Sequence, residues 1–185
     1  TAIPGGPAAK AGLQHGDIIE SLDSRSTREK SLEQVKSVMA GQPGTVVNLT
    51  VVRVRRGEPQ RMALKREVVP VPAVSQKMVE PGIGYLEVDT LPKGRAREIA
   101  LRAQQLVSGG ARRLVLDLRN TAEGDIGEGV AVANLFLDHG VITYLEGQKF
   151  ARENFNADSS QAVLKVPVVV LVNRATAGAA EVVAS

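Results

Sequence analysis

Residues 165–185, KVPVVVLVNRATAGAAEVVAS, decide the fold. Val166 to Val172 is a nearly unbroken, β-branched apolar run, the pattern of a strand buried on both faces. Asn173 and Arg174 close it. From Thr176 the residues are small and Ala-rich and predict a helix. Glu181 falls early in that helix, where a carboxylate suits the positive end of the dipole. A strand that breaks sharply into a helix N-terminus is a common mount for a nucleophile. The backbone N–H groups there are unpaired and can hold a developing oxyanion. The turn Ala175-Thr176-Ala177-Gly178-Ala179-Ala180 nevertheless holds no serine and no cysteine. By itself the stretch reads equally well as a core strand followed by a tightly packed helix.

The chain around it has 185 residues, enough for one or two domains, and at 43% hydrophobic it can bury a substantial core. Aromatics make up only 3%, with no Trp, so packing rests on Val, Leu, Ile and Ala. That scarcity argues against nucleic-acid binding by base stacking. The net charge of +3 is small, and the one short basic run, Arg53-Val54-Arg55-Arg56, reads as a solvated hairpin tip. No cysteine is present, which excludes disulfides, thiolate catalysis and Cys-based metal sites. His15 and His139 are far apart, so no metal site is expected, and no cofactor either. No apolar run reaches the roughly 18 residues of a membrane span. Thr1 is not an initiator Met, and the chain is expected to start and stop inside larger elements.

Working back to the start, Ala8-Ala9-Lys10-Ala11 predicts a short helical piece closed by Gly12. Gly16-Asp17 makes a turn, and Ile18, Ile19 and Leu22 lie on a strand. Ser31-Leu32-Glu33-Gln34 fits a capping box. Leu32, Val35, Val38 and Met39 then share one helical face. Gly41 ends this helix and Pro43-Gly44 forms a turn. Thr45 to Val54 predicts a strand, Arg55 to Pro59 a hairpin tip, and Gln60 to Val69 the returning strand. Val68 to Ser75, with its alternate prolines, is expected to be extended and to hold a domain boundary near Pro70.

Beyond the boundary, strand and helix alternate. Gly84–Val88 reads as a strand after the Pro81-Gly82 turn, Lys93–Val107 as a helix, and Leu114–Leu118 as a buried strand. Asn120 to Gly127 is a polar loop, Glu128–Asp138 a second amphipathic helix, and Val141–Leu145 a strand. Glu146 to Ala162 is expected to be a polar, mobile loop ahead of the 166–172 strand. This order predicts a largely parallel, layered α/β domain.

Two resemblances follow. Gly6-Pro7-Ala8-Ala9-Lys10-Ala11-Gly12-Leu13, Gly16-Asp17-Ile18-Ile19, the Ser31 helix and Gly44-Thr45-Val46-Val47 resemble a PDZ domain of the circularly permuted bacterial type. Such domains add the C-terminal tail of a polypeptide as a strand beside the helix. The resemblance implies that Leu32 and Val35 face that groove, although both are equally plausible core residues. It also implies that an early strand and a carboxylate-binding loop precede Thr1. In the second half, Asp117-Leu118-Arg119-Asn120 with Gly124, and Val170-Leu171-Val172-Asn173 with Thr176-Ala177 and Glu181, resemble the carboxyl-terminal processing, or tail-specific, serine proteases. PDZ before core is the order of that family. It implies a mixed α/β chain, with a PDZ-like domain at 1–69, a linker at 70–76 and a layered, crotonase/Clp-protease-like β/α core at 77–185. The resemblance further implies polypeptide tails as partners, an extracytoplasmic setting, and a general-base lysine beyond residue 185.

The departures are chemical. The family pattern puts its nucleophilic serine at Gly178, a second serine at Ala180, and oxyanion-hole N–H groups at Gly124 and Ala179. Glu123 stands where the family has the first glycine of a pair, and its charge has the wrong sign beside an oxyanion. Amide hydrolysis by this route needs an oxygen nucleophile and a base, and Gly178 supplies neither. The groups act as a unit, so losing the nucleophile alone removes several orders of magnitude in rate. Two functions remain open: a processing protease whose residue 178 is altered here, and a pseudoprotease that captures tails without cutting. Three departures together fit natural loss better than one replaced residue. Crotonase-like acyl enzymes share such cores, but the PDZ-like segment argues against them.

Overall fold

The computed structural model describes residues 2–3, 5–53, 57–69 and 71–185, with Phe150 by its backbone alone. The chain divides into two compact units, Thr1–Val71 and Pro72–Ser185.

In the first unit, α1 (Pro7–Lys10) starts with Pro at its first turn, where no intrahelical N–H is needed. β1 (Ile18–Leu22) turns through Asp23 and Ser24, both at positive φ, into the short β2 (Arg25–Ser26). α2 (Leu32–Met39) carries the expected capping box: Gln34 N–H donates to Ser31 Oγ, and Ser31 N–H donates to Gln34 Oε1. β3 (Val46–Val52) and β4 (Gln60–Lys65) complete an antiparallel sheet in the order β2-β1-β3-β4. Alternate residues of β3 are buried, so Val47, Leu49 and Val51 join Leu22 and Leu64 in a small core. Val35, Val38 and Met39 pack on it from α2. Leu32, read as part of the same face, is instead exposed, because it sits in the first turn beyond the edge of that core.

The second unit is built on one four-stranded sheet, β10-β7-β6-β5. β5 (Ser75–Glu80) and β6 (Ile83–Glu87) form an antiparallel pair. β7 (Arg113–Asp117) and β10 (Val168–Leu171) then run parallel to β6. α3 (Arg95–Ser108) crosses from β6 to β7. α4 (Ile126–Asn134) and a hairpin of β8 (Val141–Gly147) and β9 (Phe150–Asn156) lie between β7 and β10, and α5 (Ala179–Ala184) follows. Leu86, Leu114 and Leu116 of the sheet meet Ile99, Ala103 and Leu106 of α3, Val132 of α4, and Ala179 and Ala180 of α5 in one core. α3 begins at Gly94 without a side-chain cap of its own. Glu128 of α4 supplies it, accepting the Gly94 N–H at 2.7 Å and the Ala96 N–H at 3.0 Å.

Mixed α/β architecture is as expected, and five expectations need correction. The 166–172 strand is not buried on both faces: Val169 is 59% exposed and Val172 51%. Its apolar run reports composition, and composition cannot say whether a layer covers each face of the strand. The stretch 146–162 is no loop; it contains β9, whose residues pair with β8. β5 starts at Ser75, inside the stretch read as a linker, and Gln76 to Glu80 were not read as strand at all. α4 starts two residues early, at Ile126 after the cap Asp125, and ends at Asn134 rather than Asp138. β4 ends at Lys65, short of Val69. The expected hairpin tip lies partly outside the described residues, as does the boundary residue Pro70.

Candidate active site

In an open parallel arrangement the loops that leave the carboxyl ends of adjacent strands meet on one edge. Here those loops follow β7 and β10. The strands stay paired to their last residue, with Leu118 N–H donating to Leu171 O at 2.9 Å. Beyond that, side chains hold the two loops together. Asn120 N–H donates to Asn173 Oδ1 at 3.0 Å, and Asn173 Nδ2 donates to Asn120 Oδ1 at 3.0 Å. Asn173 Oδ1 also accepts the Ala175 N–H. Thr176 Oγ1 donates to Leu118 O at 2.8 Å and accepts the Asn173 N–H at 3.0 Å. Ala177 N–H donates to Thr121 O. Asn120 adopts φ 67, a left-handed conformation that Asn tolerates better than most residues.

The turn then reaches Gly178 at φ 61, ψ −120. A residue with a Cβ is strained there. Space is not the limit, since a Cβ built on Gly178 would meet no atom within 4 Å. The Gly178 N–H donates to Glu181 Oε2 at 2.8 Å, which ties the turn to the first turn of α5. Ala179 is buried, and among the described residues its N–H meets no acceptor. This is the strand–turn–helix form that mounts a nucleophile above a sheet.

Gly124 belongs to the other loop. Leu91 N–H donates to Glu123 O and Asp125 N–H donates to Leu91 O, a parallel bridge that leaves the N–H of Gly124 on the opposite side. A Cβ at Gly124 would come within 2.6 Å of Leu91 Cβ and 2.9 Å of Leu91 O, so close approach requires glycine there. Glu123 is exposed. Leu32 and Val35 lie in the other unit, the first exposed and the second half-buried against the core.

One polar cluster next to the site is absent from the sequence reading. Asp117, the last residue of β7, is buried; its carboxylate accepts from Tyr85 Oη, from Arg119 Nε and from the Arg119 N–H. Burial opposes ionisation of Asp117, but the bonds from Arg119 and Tyr85 outweigh it and hold the carboxyl below the usual range. The same contact raises the Tyr85 phenol and the Arg119 guanidinium. Asp89 is shifted the other way, raised by burial and by Glu87. Asp117 and Arg119 were visible as a motif; Tyr85, 32 residues away, carried no signal. Among the described residues no group of three His, Cys, Asp or Glu side chains is arranged to hold a metal ion.

Residues 82–185, more than half of the chain, match the model of peptidase family S41. The chain belongs to that family. Residues 1–53 of this S41 chain match a PDZ domain. Its relatives are carboxyl-terminal processing proteases. It is 32% identical over 194 residues to the chloroplastic carboxyl-terminal-processing peptidase 2 of Arabidopsis thaliana, covering 100% of this chain and 37% of that protein. It is 34% identical to the carboxyl-terminal-processing protease of a Picosynechococcus strain, covering 98% of this chain and 44% of the relative. The S41 chain therefore spans less than half the length of these relatives. Its fold superposes on the photosystem II D1 C-terminal processing protease with a TM-score of 0.83 at 30% identity, covering 100% of this chain and 51% of that one.

Proposed function

We propose that this S41 chain is the part of a tail-binding protein that captures polypeptide C-termini through its PDZ unit and, as written, does not hydrolyse them. The observation that carries the reading is the Gly178 turn. It keeps the backbone of a nucleophile mount and has no oxygen on it. The hydroxyl two residues before Gly178, Thr176 Oγ1, donates its proton to Leu118 O and accepts from the Asn173 N–H, bonds that hold it between the two loops. In this reading Gly124 and Ala179 keep the backbone positions of an oxyanion hole, Glu123 opposes its charge, and no metal or cofactor takes part. Leu32, exposed at the start of α2, and Val35 beside it flank the tail. The setting in this reading is extracytoplasmic, by likeness to the processing proteases.

A second reading, that the lineage still hydrolyses peptide bonds with another residue at 178, is favoured by one observation. The turn is still held at φ 61 with open space where a side chain would stand.

One experiment separates them. The full-length protein is incubated with a peptide ending in an apolar residue, as the free acid and as the C-terminal amide. Binding is followed by calorimetry and intact peptide mass over time. Binding of the acid alone, with mass unchanged, supports tail capture. Equal binding of acid and amide, or none, removes it. Shortened peptide absent from a blank establishes the second reading.

A further inference from the structure

We infer that Asn120 and Asn173 form a positioning latch that sets the Gly178 turn against the loop after β7. The inference rests on the reading of Gly178 as the nucleophile position only for what the latch serves. Its geometry stands independently. Past Leu118 and Leu171 the two chains part: one runs to the Leu91 bridge, the other into α5. An amide side chain carries a donor and an acceptor in one plane, so the Asn173 side chain can accept from the backbone of residue 120 and donate to its side chain at once. The Asn120 N–H donates to Asn173 Oδ1 while Asn173 Nδ2 donates to Asn120 Oδ1, and Asn173 Oδ1 takes the Ala175 N–H besides. The left-handed backbone at Asn120 turns its N–H toward Asn173. Beside this tie the Ala177 N–H donates to Thr121 O, one residue before Gly178. Displacing the turn by an ångström is enough to spoil a site built on backbone N–H groups.

A carboxylate can still accept what each Asn accepts, so Asn120→Asp keeps both bonds, and Asn173→Asp keeps the bond from the Asn120 N–H, with the Asn120 amide free to turn and donate to the new carboxylate. In the double variant no side-chain donor is left across the pair and the two carboxylates repel, so the one backbone bond from residue 120 must hold against that repulsion. The test is amide hydrogen exchange in the full-length protein carrying Asn120→Asp, Asn173→Asp, or both, at neutral pH. We expect the Ala177 amide to exchange within about threefold of the natural rate in each single variant and at least about tenfold faster in the double variant. The Leu116 amide, inside β7, stays unchanged throughout. Three outcomes overturn the latch: an unchanged Ala177 rate in the double variant, a single variant as fast as the double, or an equal rise at Leu116. A protein that shows the expected pattern but binds no peptide tail keeps the latch and loses the tail-binding function.

Discussion

Gly129 of α4 lies directly under the carbonyl of Ala179: a Cβ built on Gly129 would overlap Ala179 O and crowd its Cα at 3.1 Å. The two helices meet backbone to backbone at the residue whose free N–H borders the Gly178 turn. Gly129→Ala therefore forces α5 away from α4. Overpacking of this kind costs about 1–3 kcal/mol. Thermal unfolding of the variant should fall by several degrees, and the Ala179 and Ala180 resonances should move first in an NMR spectrum. A Tm within a degree of the natural protein would show that α5 has slack.

Gly178 behaves differently, because its constraint is conformational. Gly178→Ala meets no neighbour but must hold φ near 61, at about 1–3 kcal/mol. Gly178→Ser should lose a similar amount, since its Cβ bears the same strained φ and likewise meets no atom within 4 Å. Denaturant midpoints of the two variants should agree closely and lie below that of the natural protein. If tail capture without cutting is the long-established function, Gly178→Ser yields a folded protein that leaves peptide mass unchanged.

Glu128 is predicted to matter for α3 although it sits on α4. Its carboxylate closes two N-terminal N–H groups of a helix whose own cap position is Gly94. Removing such a cap costs about 0.5–2 kcal/mol. Glu128→Ala should lower the unfolding free energy by that amount and accelerate amide exchange at Gly94 and Ala96, while Glu128→Gln, which keeps one acceptor oxygen, should recover part of it. Equal loss in both variants would mean that charge, and not the bond, is what α3 needs.

How much of this was legible follows from the range of each interaction. Local signals held: the Ser31 capping box, the β3 alternation and the strand at Leu114 are each written within a few residues. Strands without an apolar pattern were lost. β5 is SQKMVE and β9 FARENFN, and each is fixed by its hairpin partner rather than by its own residues. The apolar run of β10 is legible as a strand, but the exposure of Val169 is not, because coverage of a face is set by the layer packed on it and not by the strand's own residues. At the site, the Gly178 turn was legible as a motif. Its ties were not: Asn120 and Asn173 are 53 residues apart, and Glu128 reaches α3 across 34 and 32.

Two carboxylates should give pH dependence of opposite sign. Asp89 has a raised pKa, from burial first and Glu87 second, and among the described residues its carboxylate accepts no hydrogen bond. The unfolded chain ionises it more readily than the folded one, so at neutral pH its charge favours unfolding. That penalty fades as pH falls through its raised folded value toward the ordinary carboxylate value near about 3.9. Asp89→Asn should thus raise Tm at pH 7, with the gain closing as pH falls to about 4. Asp117 is lowered, so its contribution is fully present above the unfolded value and lost as pH falls through the folded one. Asp117→Asn should lower Tm at pH 7, with the loss shrinking only below pH about 4, where the natural carboxylate itself protonates. Thermal scans of the three proteins from pH 7 to pH 3 check both signs. A gain from Asp89→Asn that persists unchanged at low pH would show that its cause is packing, and that ionisation of Asp89 plays no part.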